Sequence, residues 1–421
     1  MTGYLHVIPF DLGYAFDDVL NVDNYQNLLL ADEFISLLEH HYSYHPEVMI
    51  KRTFHIEKLK NRIVHHHFSD DLMSESVCRI RFSSLLHGFI LKNGIICFLL
   101  YEAYEEKTII KMIHRKKSSQ RLILENLSEI EHHSILDEIQ MMRDFMKHCW
   151  NVIHSVAKQK RIKCYRPYSS NFDYKYGGLS YVLTIYLVER NKYEDKELHY
   201  LLYSLHGDYR QLSEEQLKNK INDFKVDKVY ESKSNQISFM FSWSAVLAQL
   251  NHIPSSMDQI MEIHGLRRLI KQEVFLQSRW FLADNSMDNG LKSLKKNSAG
   301  LKRLENILEH NEAEVYNIIS ANMTTEEKSI SENIVVTSGL EQLNKSVKRQ
   351  LSIQMRIYEE KEYDSKKRNM FILSLFMAIF TACSLYSEVY VIINGDNHNF
   401  IILFVLLVIT ISTVVIDYLY R

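Results

Sequence analysis

The stretch HGFILKNGIICFLLYEA, residues 87–103, contains two apolar runs joined by Asn93-Gly94. Asn-Gly is the preferred dipeptide of type I′ turns, because both central residues need a positive φ. The stretch therefore predicts an antiparallel β-hairpin. Runs rich in β-branched and aromatic residues predict further strands at residues 4–10, 48–55 and 62–68. We expect mixed α/β structure over residues 1–118.

An apolar seam predicts one long helix over residues 118–163. Its members alternate at steps of four and three, which is the spacing of one helix face: Ile135, Ile139, Met142, Met146, Cys149, Ile153 and Val156. The seam is expected to pack in the core, with a partner helix as the alternative. Residues 179–189 and 236–250 are strand-like, and the sequence becomes helical from residue 258.

The overall composition limits the classes of function. A net charge of −2 over 421 residues gives no global field that favours nucleic acid. The 4 Pro and 12 Gly are few, which favours long helices over a turn-rich fold. No CxxC pair, phosphate-binding loop or dinucleotide fingerprint occurs. We therefore expect neither an enzyme nor a zinc protein, and no catalytic residues.

Two apolar runs near the end of the chain, residues 370–393 and 400–416, are each near the roughly 20 residues that cross a bilayer as a helix. A buried core hairpin is the alternative. Basic residues flank the pair, whereas the segment between the runs has none: Lys361, Lys366, Lys367, Arg368 and Arg421. This pattern predicts two transmembrane helices with both termini in the cytoplasm.

The segment before the first run predicts a long stalk helix. No Gly or Pro occurs between Gly339 and Gly395, so residues 340–394 can form one helix of roughly 80 Å. A bend near Lys366 is the alternative. Within the first run, polar residues share one face, which predicts a pore lining, with helix packing as the alternative: Ser374, Met377, Thr381, Ser384 and Glu388.

Residues 394–399, NGDNHN, separate the two runs. Gly395, Asp396 and Asn397 resemble the Gly-x-Asn signature of the CorA family of two-span channels and transporters. The resemblance covers residues 340–421 and implies a homopentamer with these three residues as its outer selectivity loop. It also implies that Asp396 and Asn397 hold a hydrated divalent cation such as Mg²⁺. Asp396 departs from the family's usual Met, and the Met-Pro that usually follows is missing.

The expected fold is an α+β cytoplasmic domain, a long helical stalk and two C-terminal transmembrane helices, as in CorA. The sensor region would cover residues 1–257, with a sub-boundary near 164–178. The remaining boundaries would be 258–368 for the stalk, 369–393 for the first span, 394–399 for the outer loop, and 400–421 for the second span and its short tail.

Two segments could bind a nucleotide-type ligand, because aromatic rings stack on bases and cationic side chains pair with phosphates. The first is a basic cluster of Arg115, Lys116 and Lys117. The second is a Tyr/Gly loop that contains Tyr165, Arg166, Tyr168, Tyr174 and Tyr176. Solvated surface segments are the alternative in both places. His65-His66-His67 cannot all bind one metal ion in a strand, because neighbours point to opposite faces.

The large N-terminal region and the altered signature resemble the CorA-like accessory effectors of type III CRISPR systems. This resemblance implies an antiviral cation channel in the bacterial inner membrane. A nucleotide second messenger, such as a conjugate of S-adenosylmethionine and AMP, would open it. A divalent-cation transporter for Mg, Co or Zn, and a membrane-tethered sensor or scaffold without a pore, are the alternatives. Direct nucleic-acid binding is not expected.

Overall fold

The computed structural model describes residues 1–12, 76–91, 94–124, 135–159, 182–204, 213–285, 298–320, 324–393 and 408–409. Over these residues the chain is α+β, with one mixed sheet and a long C-terminal helix. The chain divides into two compact units, Met1–Gln350 and Leu351–Arg421. The sheet lies in the first unit.

The sheet has eight strands in the order β2-β3-β4-β1-β5-β8-β7-β6. In chain order the strands are β1 Thr2–Asp11, β2 Ser76–Arg81, β3 Leu86–Leu91, β4 Ile95–Tyr104, β5 Leu183–Glu189, β6 Tyr230–Ser234, β7 Ile237–Phe241 and β8 Ala245–Leu250. β1 is antiparallel to both β4 and β5, and β5 is parallel to β8. The carboxyl ends of β4, β5 and β8 therefore meet at one edge of the sheet.

The helices are α1 Ile109–Leu124, α2 Leu136–Gln159, α3 Asp195–Tyr203, α4 Glu214–Asp223, α5 Met257–Glu262, α6 His264–Asn285, α7 Ser298–Ser320, α8 Thr325–Ser338 and α9 Leu340–Ile393. Helices pack on both faces of the sheet. Neighbouring residues of one strand therefore contact different helices, because their side chains point to opposite faces. Leu5 of β1 packs in a core with α5 to α8, whereas the adjacent Tyr4 packs in a core with α1, α3 and α4.

The hairpin predicted at residues 87–103 is confirmed. β3 and β4 pair antiparallel across a tight connection in which Gly94 has a φ of 82°. The strand predicted at residues 4–10 is confirmed as β1, which lies at the centre of the sheet. The strands predicted at residues 48–55 and 62–68 lie outside the described residues.

The single helix predicted over residues 118–163 is wrong, because two separate helices, α1 and α2, occupy this region. α1 begins before the predicted start and buries a face of its own, which includes Met112 and Ile123. The seam was predicted correctly as core where the structure describes its side chains: Ile135, Ile139, Met142, Met146 and Cys149 are buried.

The long helix predicted from residue 340 is confirmed. α9 runs without interruption through 54 residues and follows Gly339, which ends α8 in the left-handed conformation with a φ of 65°. Its first turns belong to the first unit, where Leu340 and Val347 are buried.

The prediction of two C-terminal transmembrane helices is wrong, and the inner-membrane location and channel architecture built on it are overturned. Among the described residues, no helix combines the length and the apolar character needed to cross a bilayer. Charged residues are frequent along α9 as far as Arg368, and a predominantly apolar run follows from Met370. Apart from residues 408–409, the second run lies outside the described residues.

Candidate functional site

A group of buried polar side chains crosses the middle of the sheet beneath α1. Glu102, Tyr4 and Tyr186 are direct cross-strand neighbours on β4, β1 and β5. His6 and Thr184 form the adjacent cross-strand pair on β1 and β5. All five residues are buried. A buried polar group without a hydrogen bond costs free energy. The hydrogen-bond partners of these five side chains therefore determine which of them could bind a ligand.

Glu102 is the centre of a satisfied hydrogen-bond network. Its Oε1 accepts hydrogen bonds from His6 Nε2 at 3.1 Å and from the Ser119 hydroxyl of α1. Its Oε2 accepts from the Tyr104 hydroxyl at 2.8 Å. Burial alone raises the pKa of Glu102, but His6, Ser119 and Tyr104 together hold that pKa below its usual value. Glu102 is therefore an ionised group whose acceptor atoms are already used.

Lys116, one turn before Ser119 on α1, has a different environment. Its ammonium donates a hydrogen bond to the carbonyl of Ser244 at 3.4 Å and lies 5.7 Å from the ring centroid of Tyr186. Burial, with a further contribution from the charge of Lys117, lowers the pKa of Lys116 to about 8. Within the described part of the chain, no carboxylate lies within 4.0 Å of this ammonium.

Arg115, the preceding residue, contacts two partners. Its guanidinium lies 3.8 Å from the ring centroid of Tyr104, and its Nε is 3.5 Å from Glu106 Oε1. The side chain is partly exposed at the carboxyl end of β4. Arg115 therefore has both an aromatic and an anionic partner, whereas Lys116 has an aromatic ring and a neutral carbonyl.

Two tyrosine hydroxyls belong to the same group of buried polar side chains. The hydroxyls of Tyr4 and Tyr186 are buried and have no hydrogen-bond partner among the described residues, and their rings lie 5.7 Å apart. Burial raises the pKa of both tyrosines, so both keep their protons and remain donors. The charges of Glu106 and Glu102 also raise the pKa of Tyr4. An anion is therefore favoured beside Tyr186 and Lys116 rather than beside Tyr4. We call Lys116, Tyr186 and Ser244 the Lys116 site.

The structure brings only part of the predicted ligand-binding set to this site. Lys116 is in it, while Arg115 and the partly exposed Lys117 are on the same helix. The five members of the Tyr/Gly loop lie outside the described residues: Tyr165, Arg166, Tyr168, Tyr174 and Tyr176. Sequence reasoning missed Tyr186 and Ser244, which are far from Lys116 in the chain and approach it only through the pairing of β5 with β8.

The residues predicted to line a pore follow α9. Ser374, Met377, Thr381 and Ser384 are exposed, and the Thr381 hydroxyl donates to the carbonyl of Met377 at 2.8 Å. The side chain of Glu388 lies outside the description. The pore interpretation depended on the transmembrane prediction, which is wrong, and it is therefore withdrawn.

The predicted selectivity loop and metal ligands, Gly395, Asp396 and Asn397, lie outside the described residues. Among the residues that the structure describes, no group of three or more His, Cys, Asp or Glu side chains could hold a metal ion. No family model, no curated protein and no solved structure matches this chain.

Proposed function

We propose that the unit Met1–Gln350 is a sensor that binds a small anionic ligand of the nucleotide type at the Lys116 site. The observation that carries this proposal is the buried ammonium of Lys116, which faces a carbonyl and an aromatic ring and has no carboxylate within 4.0 Å among the described residues. An anionic oxygen would supply the missing partner.

The energetics of burial support an anion in this place. With a pKa of about 8, Lys116 is still mostly protonated at pH 7. A buried charge that lacks an ionic partner costs on the order of several kcal/mol. The protonated hydroxyl of Tyr186, which lacks a hydrogen-bond partner among the described residues, is a second donor on a ring whose centroid lies 5.7 Å from the ammonium. A phosphate oxygen could accept from both groups, and charge-assisted hydrogen bonds of this kind are strong.

Burial also links binding to a change of shape. Lys116 is 6% exposed, so a ligand reaches its ammonium only when α1 and the turn containing Ser244 separate. A ligand that binds the opened arrangement better than the closed one shifts the population toward it. This link is what makes the unit a sensor rather than a passive binding module.

The conjugate of S-adenosylmethionine and AMP is the most informative ligand to test, because the resemblance of the large N-terminal region and the altered Gly-x-Asn signature to the CorA-like effectors implies this class of messenger. The type III CRISPR role and the homopentamer stay predictions from that resemblance. Ion conduction is not part of the proposed function.

Calorimetric titration of the full chain with the conjugate, ATP, AMP and pyrophosphate tests the proposal. We expect binding of at least one of these anions, and its loss in Lys116→Met. Lys218→Met is the matched control, because Lys218 is an exposed lysine on α4. If no anion binds, or if both variants bind as the wild type does, the proposed function is wrong.

A further inference from the structure

We propose that Ser119 and Gln120 hold α1 closed against the sheet and thereby set the affinity of the Lys116 site for its ligand. This inference rests on the proposed function and adds the regulation of that site. Its structural basis is one face of α1. Ser119 and Gln120 follow Lys116 by three and four residues, so the three side chains lie on the same side of the helix.

The contacts of Ser119 and Gln120 join α1 to two strands of the sheet. The Ser119 hydroxyl donates a hydrogen bond to Glu102 Oε1 on β4. Gln120 Nε2 donates to the carbonyl of Val182, the residue before β5, at 3.0 Å. The same amide nitrogen donates to the hydroxyl oxygen of Thr184 on β5 at 3.4 Å. Two consecutive residues of the helix are therefore hydrogen-bonded to different strands.

A buried histidine connects these two contacts beneath the helix. His6 Nε2 donates to Glu102 Oε1 at 3.1 Å, and His6 Nδ1 lies 3.1 Å from the hydroxyl oxygen of Thr184. The polar chain is therefore continuous from Ser119 through Glu102, His6 and Thr184 to Gln120. Because both ends of this chain belong to α1, a movement of α1 away from the sheet breaks the chain at both ends.

The ligand reaches Lys116 only through the same movement, because the ammonium is buried against the Ser244 carbonyl. A ligand that binds only the open arrangement has an apparent dissociation constant equal to its intrinsic value divided by the open fraction. Each hydrogen bond that Ser119 or Gln120 makes in the closed arrangement lowers this fraction. Removing one of these hydrogen bonds is therefore expected to strengthen ligand binding.

A role in folding alone predicts a different result. If the hydrogen bonds of Gln120 only stabilised an arrangement that already admits the ligand, their loss would leave the affinity unchanged or lower it. An increase in affinity after the loss of hydrogen bonds therefore identifies the regulatory role. The increase should have the same factor for every ligand of the site, because the open fraction belongs to the protein and not to the ligand.

The test is calorimetric titration of the full chain with ATP and with pyrophosphate. Gln120→Ala is expected to bind both ligands more tightly by the same factor, roughly 2- to 12-fold, which corresponds to the loss of one typical hydrogen bond. Gln120→Leu, which keeps most of the side-chain volume, should show the same gain. Gln140→Ala should bind as the wild type does and is the matched control, because Gln140 Nε2 donates to Asp144 Oδ1 at 3.1 Å within α2.

Hydrogen exchange without ligand gives a second measurement. Gln120→Ala should speed the exchange of α1 and leave that of α8, which packs on the opposite face of the sheet, unchanged. Equal exchange of α1 in the variant and the wild type would overturn the inference. Unchanged or weaker binding by Gln120→Ala, beside a wild type that binds, would overturn it too and leave the Lys116 site intact. If neither protein binds any of the anions named above, the proposed function is wrong and the regulatory role fails with it.

Discussion

Arg115 and Lys116 are consecutive residues of α1, yet among the described residues only Arg115 reaches a carboxylate. Arg115 Nε lies 3.5 Å from Glu106 Oε1, whereas Lys116 Nζ donates to the carbonyl of Ser244 at 3.4 Å. Successive helix residues point about 100° apart, so the two cations enter different environments. One is a partly exposed ion pair and the other is a buried charge, and that difference underlies the account of function.

Replacing Lys116 with methionine should stabilise the fold while removing the ligand site. The folded pKa of about 8 is below the ordinary 10.5, so the unfolded chain binds more protons between these values. Lys116 therefore penalises folding fully below pH 8, and the penalty fades as the pH rises toward 10.5. We expect Lys116→Met to raise the free energy of unfolding at pH 7 by up to about 3 kcal/mol. Denaturant unfolding of the wild type and of Lys116→Met at pH 7 and pH 10 measures this difference in the free energy of unfolding.

The control for this prediction is Lys218→Met on the exposed face of α4, which should change stability by less than about 0.5 kcal/mol. A Lys116→Met variant that is less stable than the wild type at pH 7 would show that the lysine serves the fold rather than a ligand.

Glu273 on α6 should make stability fall as the pH rises from 4.5 to 8. Burial raises its pKa from 4.5 to about 8, against a smaller opposing effect of the hydrogen bond from Gln277 Nε2 at 3.1 Å. In this window the folded chain holds a proton that the unfolded chain has released. The stabilising contribution is complete below pH 4.5 and is lost as the pH approaches 8, with a slope of at most about 1.4 kcal/mol per pH unit.

Glu273→Gln should remove this slope, because the amide does not titrate and its carbonyl can still accept from Gln277. The measurement is the free energy of unfolding at intervals between pH 5 and pH 8 for both proteins. Parallel profiles for wild type and variant would assign the pH dependence to other groups.

Glu102 should have the opposite dependence on pH. The network of His6, Ser119 and Tyr104 holds the pKa of Glu102 below 4.5 despite its burial. Its contribution to stability is therefore present above pH 4.5 and lost as the pH falls through the lower folded pKa. Glu102→Gln exchanges an acceptor oxygen for an amide donor that faces other donors, which should cost about 2–4 kcal/mol at pH 7.

Glu105→Gln is the control, because Glu105 is exposed and lies three residues further along the chain. We expect it to unfold with the wild-type midpoint in urea. Equal midpoints for Glu102→Gln and the wild type would mean that the network beneath α1 contributes nothing to the fold.

Short sequence patterns were enough to predict strands at the centre of the sheet. The Lys116 site, in contrast, depends on pairing between strands that are far apart in the chain. Asn93-Gly94 predicts a hairpin because a turn depends on its own residues. The burial of Lys116 could not be read from the sequence, since a basic cluster is ordinarily solvated. Its partner Ser244 lies 128 positions away and meets it only after β5 pairs with β8.

The turn that contains Ser244 was missed for a related reason. Residues 236–250 look like one continuous strand, and the turn that Ser242 closes by donating to the Ala245 carbonyl contains no Gly or Pro. At the C-terminus, the single helix from Leu340 was predicted correctly, and the error was to read the apolar run after Met370 as a membrane span.

The central claim is that the ammonium of Lys116 is the charge that holds the ligand, and the pH dependence of ligand affinity tests it most directly. Calorimetric titration with sulfate, whose charge stays constant, should give a wild-type affinity that falls about tenfold between pH 7 and pH 9, because Lys116 loses its proton with a pKa of about 8. Lys116→Met should bind no sulfate at either pH. Equal affinities of the wild type and Lys116→Met at pH 7 would contradict the account.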